Sequence, residues 1–298
     1  MPGAVGGGSR KASPDPDYAP KNGDKMIRKM PRHFLQRVMN LKDYVEWRYG
    51  KNSHESVYFY TFHKCARSLF GGYVLKNIEG LRHVDYASQI YGGEQIDNPV
   101  FEQKGFVYGP IRLSANPLSP VYKKLVEPVS DIDFIRSKIA IFLVRDPRDI
   151  LVSAYYSFGY THGFSSVDEI RARQEQRRSE IQRKTIDEYA LESAHKILSN
   201  FEALDKLSKA CNRSVVLKYE DMIDNWDCFV EGLTKYIGIK QTVLTQVYEK
   251  SRPREKENQD SHRRSGRPGE FRSKLKEATI ASLNTTFRGV LERLQYIA

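Results

Sequence analysis

The chain has 298 residues, a length that suits one large α/β domain or two small domains, and its 40% hydrophobic content is enough to bury a core. Its 48 basic and 37 acidic residues give a formal charge of +11, so we expect an anionic partner: phosphate, sulfate, nucleic acid or an acidic surface. The three cysteines, Cys65, Cys211 and Cys228, are far apart, which argues against a disulfide framework or a zinc site. They favour a reducing, cytoplasmic environment.

The first segment, residues 1–25, is rich in Gly, Pro, Ser and Lys and lacks the apolar run of a signal peptide. This composition predicts a disordered N-terminal segment, followed by a single domain over residues 26–298. No stretch of the sequence approaches the roughly 18 apolar residues that a membrane span needs, so none is predicted.

Strand and helix patterns alternate along the rest of the chain. Apolar, β-branched or aromatic runs predict strands at 56–62, 83–88, 106–112, 138–144 and 214–219. Helical spacing predicts helices at 67–79, 119–127, 147–160, 187–210, 226–237, 241–250 and 277–296. The alternation predicts one P-loop-like α/β domain with a mainly parallel central sheet flanked by helices, and ligands bind such sheets beyond the carboxyl ends of their strands.

The turn after the first predicted strand reads HKCARS, residues 63–68, and leads into a helix. The first amides of a helix have no intrahelical partner and carry partial positive charge, to which Lys64 adds a full charge and Ser68 a hydroxyl donor. The turn therefore suits a phosphate or a sulfate. It lacks the GxxxxGK[ST] pattern of a Walker A loop, which weakens a kinase or ATPase interpretation. Alternatively, Lys64 and Arg67 are ordinary solvated residues.

A second strand-to-helix turn lies within IAIFLVRDPRDILVSAYYS, residues 139–157. Asp146 is a natural N-cap and Pro147 fits the first helical position, so Asp-Pro explains the helix start without any function. Arg145 at the end of the strand has no such explanation. Together with Ser153, about two turns along the helix, it can hold a second phosphate.

These two stretches resemble the cytosolic-type sulfotransferases, which use 3′-phosphoadenosine-5′-phosphosulfate (PAPS). The family's 5′-phosphosulfate loop usually reads Pro-Lys-Ser-Gly-Thr-Thr-Trp, and the corresponding residues here are His63, Lys64, Cys65, Ala66, Arg67, Ser68 and Leu69. The lysine and one hydroxyl are kept, whereas the Pro, the Gly and one Thr are replaced. The family's 3′-phosphate motif, an Arg at a strand end with a Ser eight residues later, is matched by Arg145 and Ser153.

Two later stretches extend the resemblance to about residues 56–272. Tyr219, in VVLKYEDMID, takes the place of a family tyrosine that lies beside the adenine. RRSGRPGEFR, residues 263–272, is similar to a late RKGxxGDW loop that closes over the 3′-phosphate. Arg264, Gly266 and Gly269 match that loop, Ser265 replaces its Lys, and Glu270-Phe271 stand for Asp-Trp.

The resemblance implies a sulfotransferase that uses PAPS without a metal and sulfates a hydroxyl or amine of a small-molecule acceptor. Residues 252–276 hold nine Lys or Arg and four Asp or Glu and are rich in Pro, Gly and Ser, which indicates a mobile basic lid. A nucleic-acid arm is less favoured, because Phe271 is its only aromatic residue. The mixed-charge run 169–184 is typical of a solvated helix, although it could instead flank the acceptor site.

The family's catalytic base is a His near a strand end in a Lys-x-His-Leu-Pro context, and Tyr108 stands at the comparable place here. The base must therefore be sought nearby. His83 and Asp85 alternate along the predicted strand 83–88, so they would share one face and either could approach the acceptor. Glu94, Glu102 and His162 are further candidates.

Two other classes of function stay open from the residues alone. A basic nucleic-acid-binding or scaffold protein with a degenerate nucleotide fold would explain Cys65-Ala66 in the loop, but the intact Lys64, Arg145 and Ser153 argue against it. A P-loop-like kinase should show a glycine-flanked lysine and Mg²⁺-binding carboxylates, and neither is evident. The patterns indicate no particular acceptor and no oligomeric state.

Overall fold

Five parallel strands form the centre of the molecule. The computed structural model of this protein describes residues 54–94, 96, 99–113, 120–253 and 266–297, all of which belong to one compact unit of the chain, Trp47–Ala298. The sheet order is β2-β3-β1-β4-β5, and every neighbouring pair of strands is parallel. The predicted α/β class with a parallel sheet flanked by helices is confirmed.

The strands are β1 Val57–Thr61, β2 Arg82–Val84, β3 Phe106–Arg112, β4 Ile139–Val144 and β5 Arg213–Lys218. The α-helices are α1 Arg67–Leu69, α2 Tyr86–Tyr91, α3 Pro120–Val129, α4 Ile132–Arg136, α5 Pro147–Tyr156, α6 Asp168–Gln182, α7 Ile186–Ala210, α8 Tyr219–Asp224, α9 Trp226–Thr234, α10 Gln241–Ser251, α11 Phe271–Lys274 and α12 Glu277–Arg293. Two α-helices continue in other helical forms: α1 through a π-helical turn at Phe70–Val74 and a 3-10 turn at Leu75–Asn77, and α5 through a π-helical turn at Ser157–Thr161.

The two inner strands explain why the sheet forms where it does. Every residue of β1 and of β4 is buried, because helices cover both faces of the sheet and leave no solvent face for polar side chains. Thr61, the last residue of β1, lies beside Arg112 of β3 on one side and Leu143 of β4 on the other. The carboxyl ends of these three strands therefore meet at one edge of the sheet.

Helix α5 begins as the sequence predicts. The Asp146 carboxylate accepts a hydrogen bond of 2.9 Å from the backbone N–H of Arg148, and Pro147 occupies the first turn. The buried side chains of Leu151 and Val152 then pack with α7 and α12. Since α5 leaves the sheet directly after β4, this packing fixes the direction in which Arg145 and Ser153 face the sheet edge.

Two predicted strands end earlier than expected at a helix start, and the strand predicted at 56–62 also ends one residue early, at Thr61. The strand predicted at 83–88 stops at Val84, because Asp85 caps α2 by accepting a hydrogen bond of 2.9 Å from the Ser88 N–H. The strand predicted at 214–219 ends at Lys218, and Tyr219 starts α8. In both cases the polar residue directly before a helix, Asp85 or Lys218, marks the end of strand pairing.

The N-terminal segment predicted to be disordered, residues 1–25, lies outside the described residues. Among the helices in the described part of the chain, none combines the length and the apolar composition needed to cross a lipid bilayer.

Candidate active site

The loop after β1 holds two residues in left-handed conformations. Lys64 has φ 70° and Ala66 has φ 50°, and Ala66 stands where the resembling family usually carries Gly. A side chain at such a position costs about 1–2 kcal/mol. These two conformations lead directly into α1, whose first turn carries the amides of Arg67, Ser68 and Leu69.

Cys65 lies beneath this loop rather than in it. Its side chain is fully buried, and desolvation raises the pKa of its thiol to about 12. The thiol is therefore neutral at ordinary pH and supports the loop by packing. Cys65, predicted to bind the cofactor, does not line the cleft that its neighbours form.

Arg145 connects the loop to the end of β4. Its guanidinium donates a hydrogen bond of 3.1 Å to the Lys64 carbonyl and lies 4.5 Å from the centre of the Tyr219 ring. The side chain is only 5% exposed, and its buried Nε donates to no acceptor among the described residues. The buried Asp149 carboxylate pairs with the guanidinium at 3.6 Å, so the charge is compensated and the unused Nε is the donor left for a ligand.

The loop around Gly266 is held against the same edge by several contacts. The Tyr219 hydroxyl donates 2.6 Å to the Gly266 carbonyl, and Arg145 donates 3.4 Å to the Arg267 carbonyl. The Asp149 carboxylate accepts from the N–H groups of Gly269, at 2.7 Å, and Phe271, at 3.0 Å. Arg264 and Ser265, also predicted to bind the cofactor, lie outside the described residues.

Most of the predicted cofactor residues line one cleft of about 200 Å³. They are Lys64, Ala66, Arg67, Ser68, Leu69, Arg145, Ser153, Tyr219 and Gly266. Four separate stretches of the sequence thus meet at the carboxyl edge of the sheet, as expected for a ligand site in a parallel α/β fold. Among the described residues, no group of three or more His, Cys, Asp or Glu is placed to hold a metal ion.

His83 and Asp85 do not share one face of a strand, as predicted, because β2 ends at Val84 and Asp85 lies in the cap of α2. His83 Nε2 is 2.7 Å from the Gly109 carbonyl oxygen, and Asp85 makes an ion pair of 3.1 Å with Arg67. Neither residue lines the cleft. Both side chains have structural partners, so a catalytic role for them has no geometric support.

A second cavity, of about 440 Å³, adjoins the first. The two share five lining residues: His63, Arg67, Arg112, Phe158 and His162. Of the bases considered from the sequence, His162 is the one that lines either cavity. Its ring and that of His63 each meet Phe158 edge-on, with ring centres 5.4 Å and 5.5 Å apart.

Arg112 is the residue that sequence reasoning missed at the end of β3. Tyr108, the expected counterpart of the family's His, is buried in the core, where its hydroxyl accepts from the Glu102 N–H at 2.7 Å. Arg112 instead reaches the sheet edge, with Nη1 3.2 Å from His63 Nε2. The signal was available, because Arg112 is the last residue of the predicted strand 106–112 and strand ends carry ligands in this fold.

His63 lines both cavities and is exposed to solvent there. Desolvation, together with the charges of Arg112, Arg177 and Lys64, holds the pKa of His63 well below its ordinary value. The imidazole is therefore neutral at pH 7. Both ring nitrogens lie near Arg112 Nη1, Nε2 at 3.2 Å and Nδ1 at 3.4 Å, so the guanidinium lies against the ring wherever its proton is.

Glu220 contributes a pH dependence beside the cleft. Its carboxyl group accepts from the Asp146 N–H at 2.9 Å and the Tyr296 hydroxyl at 2.8 Å, and desolvation raises its pKa from 4.5 to about 7. Between these two values the native protein holds a proton that the unfolded chain has lost. Ionisation of Glu220 therefore opposes folding. The free energy of unfolding that Glu220 contributes falls as pH rises from 4.5 to 7.

We expect Glu220→Gln to remove that decline, which amounts to at most about 1.4 kcal/mol per pH unit. The measurement is urea unfolding of both proteins at pH 5.5, 6.5 and 7.5, with the difference between them cancelling the titration of all other groups. The variant should gain in stability relative to the native chain as pH rises. A constant difference would show that Glu220 keeps an ordinary pKa.

Parallel α/β sheets bind their ligands beyond the carboxyl ends of the strands, and in this protein that edge holds a cationic cleft. The chain belongs to the sulfotransferase family, since the family model described as "Sulfotransferase domain" matches residues 131–295, more than half of the chain. The matched region contains Arg145, Ser153, Tyr219 and Gly266, whereas the Lys64 loop precedes it. No curated protein sequence matches the chain significantly.

A solved structure agrees on the fold. The crystal structure of mouse sulfotransferase SULT7A1 complexed with PAP is similar to 83% of this chain and 87% of its own, with a TM-score of 0.50 and 11% sequence identity. At that identity the likeness concerns the fold alone.

Proposed function

We propose that this protein transfers the sulfuryl group of PAPS to a hydroxyl or amine of a small-molecule acceptor. Family membership supports sulfuryl transfer, and the crystal structure of mouse SULT7A1 contains PAP. The observation that carries the choice of donor is Arg145, a buried arginine with an unused Nε donor in a cleft that also contains the amides of the Lys64 loop. Two cationic edges in one cleft suit a nucleotide with phosphate groups at both ends of its ribose.

In this proposal the residues of the chain divide the binding between them. The amides of Arg67, Ser68 and Leu69 and the Lys64 ammonium hold the 5′-phosphosulfate, while Arg145 and Ser153 hold the 3′-phosphate. Tyr219 lies beside the adenine. When bound, PAPS supplies the sulfuryl group and its phosphate end becomes the leaving group, which Lys64 stabilises by its charge.

The acceptor occupies the second cavity. Because both cavities meet at His63, Arg112 and His162, an acceptor there lies next to the Lys64 loop. We propose that His162 takes the acceptor's proton, since both ring nitrogens of His63 lie against the positively charged Arg112 guanidinium.

Arg145→Ala tests the donor. Adenosine 3′,5′-bisphosphate (PAP) should bind the native protein, and the variant should bind it about 10- to 100-fold more weakly, because a charge-assisted hydrogen bond is worth about 1.5–3 kcal/mol. Adenosine 5′-phosphate, which lacks the 3′ group, should lose much less. Isothermal titration calorimetry of both nucleotides against both proteins measures the difference.

Each other outcome of this titration counts against a stated part of the proposal. Equal losses for the two nucleotides would show that Arg145 does not contact the 3′-phosphate. A native protein that fails to bind PAP would reject PAPS as the donor and favour a basic scaffold or nucleic-acid-binding protein that keeps the fold. Arg136→Ala is the matched control, because Arg136 is an exposed arginine that pairs with Asp133 outside the cleft.

A further inference from the structure

The second cavity is lined by an unusual number of cations. They are Arg67, Arg112, Arg177, Arg178 and Lys196. Among the described residues, no aspartate or glutamate lines the cavity with them. A pocket built for an uncharged acceptor would be mainly apolar with a few polar groups, so this lining calls for a different ligand.

Two of the five cations are already engaged by the protein. Arg67 makes an ion pair of 3.1 Å with Asp85. Arg178 donates to the backbone carbonyls of Phe158 and His162. The contacts of these two side chains therefore stabilise the walls of the cavity.

The other three, Arg112, Arg177 and Lys196, have no carboxylate within ion-pairing distance in the part of the chain that is described. Arg112 lies between the rings of Tyr91 and Tyr122, 5.5 Å from each centre, and Arg177 lies 4.1 Å from the centre of the Phe158 ring. Aromatic faces hold the guanidinium groups in place without neutralising their charge.

The cluster is costly in the absence of an anion. Arg112 is only 6% exposed, and its buried Nε donates to no acceptor among the described residues. Desolvation and the neighbouring charge of Arg177 lower the pKa of Lys196. Like charges gathered in one cavity oppose folding, and a bound anion offsets both the repulsion and the unused donor.

Resting on the proposed function, we propose that the acceptor is itself an anion: a small molecule that carries a carboxylate or sulfonate-like group as well as the hydroxyl or amine to be sulfated. Arg112, Arg177 and Lys196 bind its anionic group in the second cavity, and the acceptor atom then faces His162 and the Lys64 loop. The volume of about 440 Å³ suits a small molecule of this kind.

The test compares phenols that differ in charge at one position. The protein is first saturated with PAP, so that the probes cannot occupy the nucleotide cleft. It is then titrated by calorimetry with 4-hydroxybenzoate, 4-hydroxybenzenesulfonate, neutral 4-hydroxybenzamide and cationic 4-hydroxybenzylamine. We expect the two anions to bind about 10- to 100-fold more tightly than the amide, the equivalent of one charge-assisted hydrogen bond, and the amine to bind weakest.

Two double variants test which residues cause the preference for anionic phenols. Arg177→Ala with Lys196→Ala should remove most of the preference for the anions, since Arg112 alone remains, and leave the affinity for 4-hydroxybenzamide within about twofold. Arg173→Ala with Lys206→Ala removes the same charge from the same two helices, α6 and α7, at positions outside the cavity lining. This control pair should keep the preference.

The outcomes separate this inference from the proposed function. Failure of PAP to bind in the first step would reject the donor, whatever the acceptor is. Normal PAP binding with equal affinity for all four phenols, or with tightest binding of the amine, would overturn the anionic acceptor alone. A preference that both double variants lose equally would assign it to overall charge and reject the cavity.

Discussion

Lys64→Met lowers kcat by about 10²–10³-fold, the range for loss of one preorganised electrostatic stabiliser, while PAPS affinity falls much less. The reason is that the negative charge which Lys64 stabilises develops during the reaction. Negative charge on the bridging oxygen of the leaving group grows as the bond to sulfur breaks, so the Lys64 ammonium contributes more in the transition state than in the bound donor. Methionine keeps much of the apolar stem and removes the charge.

The measurement pairs kcat with nucleotide affinity for Lys64→Met and Arg145→Ala. In the proposed binding mode Arg145 contacts the end of the nucleotide remote from the chemistry, so its loss should raise the dissociation constant more than it lowers kcat. Opposite balances in the two variants would support the division of roles. If Lys64→Met binds PAPS poorly but turns over normally at saturation, Lys64 only tethers the donor.

His162→Asn lowers kcat by about 10²–10⁴-fold, the usual contribution of a positioned general base. Asparagine keeps a polar side chain of similar reach but cannot take up a proton near neutral pH. The loss should appear in kcat with PAP affinity unchanged, because His162 is assigned to the acceptor. Steady-state kinetics with the anionic phenol that binds best, together with PAP calorimetry, separates the two quantities.

Two other histidines sharpen this experiment. His195 is exposed on α7, outside both cavities, and His195→Asn should leave kcat unchanged. His63→Asn should cost less than His162→Asn, since the Arg112 guanidinium lies against the His63 ring and opposes its protonation. A larger loss from His63→Asn would transfer the base to His63 and require its contact with Arg112 to break during turnover.

The inner part of the fold could be predicted because local and tertiary requirements coincide there. The apolar runs at β1 and β4 have no polar alternation, which is what a parallel sheet covered on both faces demands. Asp146 and Pro147 mark the start of α5, so the place of Arg145 at a strand end followed directly. Cys65 shows the limit, since its position in the motif did not reveal that its side chain is turned into the core.

The acceptor side could not be predicted in the same way. Only tertiary packing brings Arg112, His162, Arg177 and Lys196 to one cavity, since they come from a strand, the residue after a π-helical turn and two helices. Of these, Arg112 alone carried a positional signal, as the last residue of the predicted strand 106–112. Asp85 ended β2 by capping a helix, which removed the basis for the pair His83 and Asp85.

The side chains shared by the two cavities couple binding at the proposed donor and acceptor sites. Arg67 and Arg112 border both, so an anion in one cavity changes the free energy of binding an anion in the other, and the change is equal in either direction. Transfer of a sulfuryl group adds negative charge on the acceptor side of these cations. If the proposed reaction takes place, we expect the sulfated product to be held more tightly than the acceptor and its release to be a slow step of the cycle.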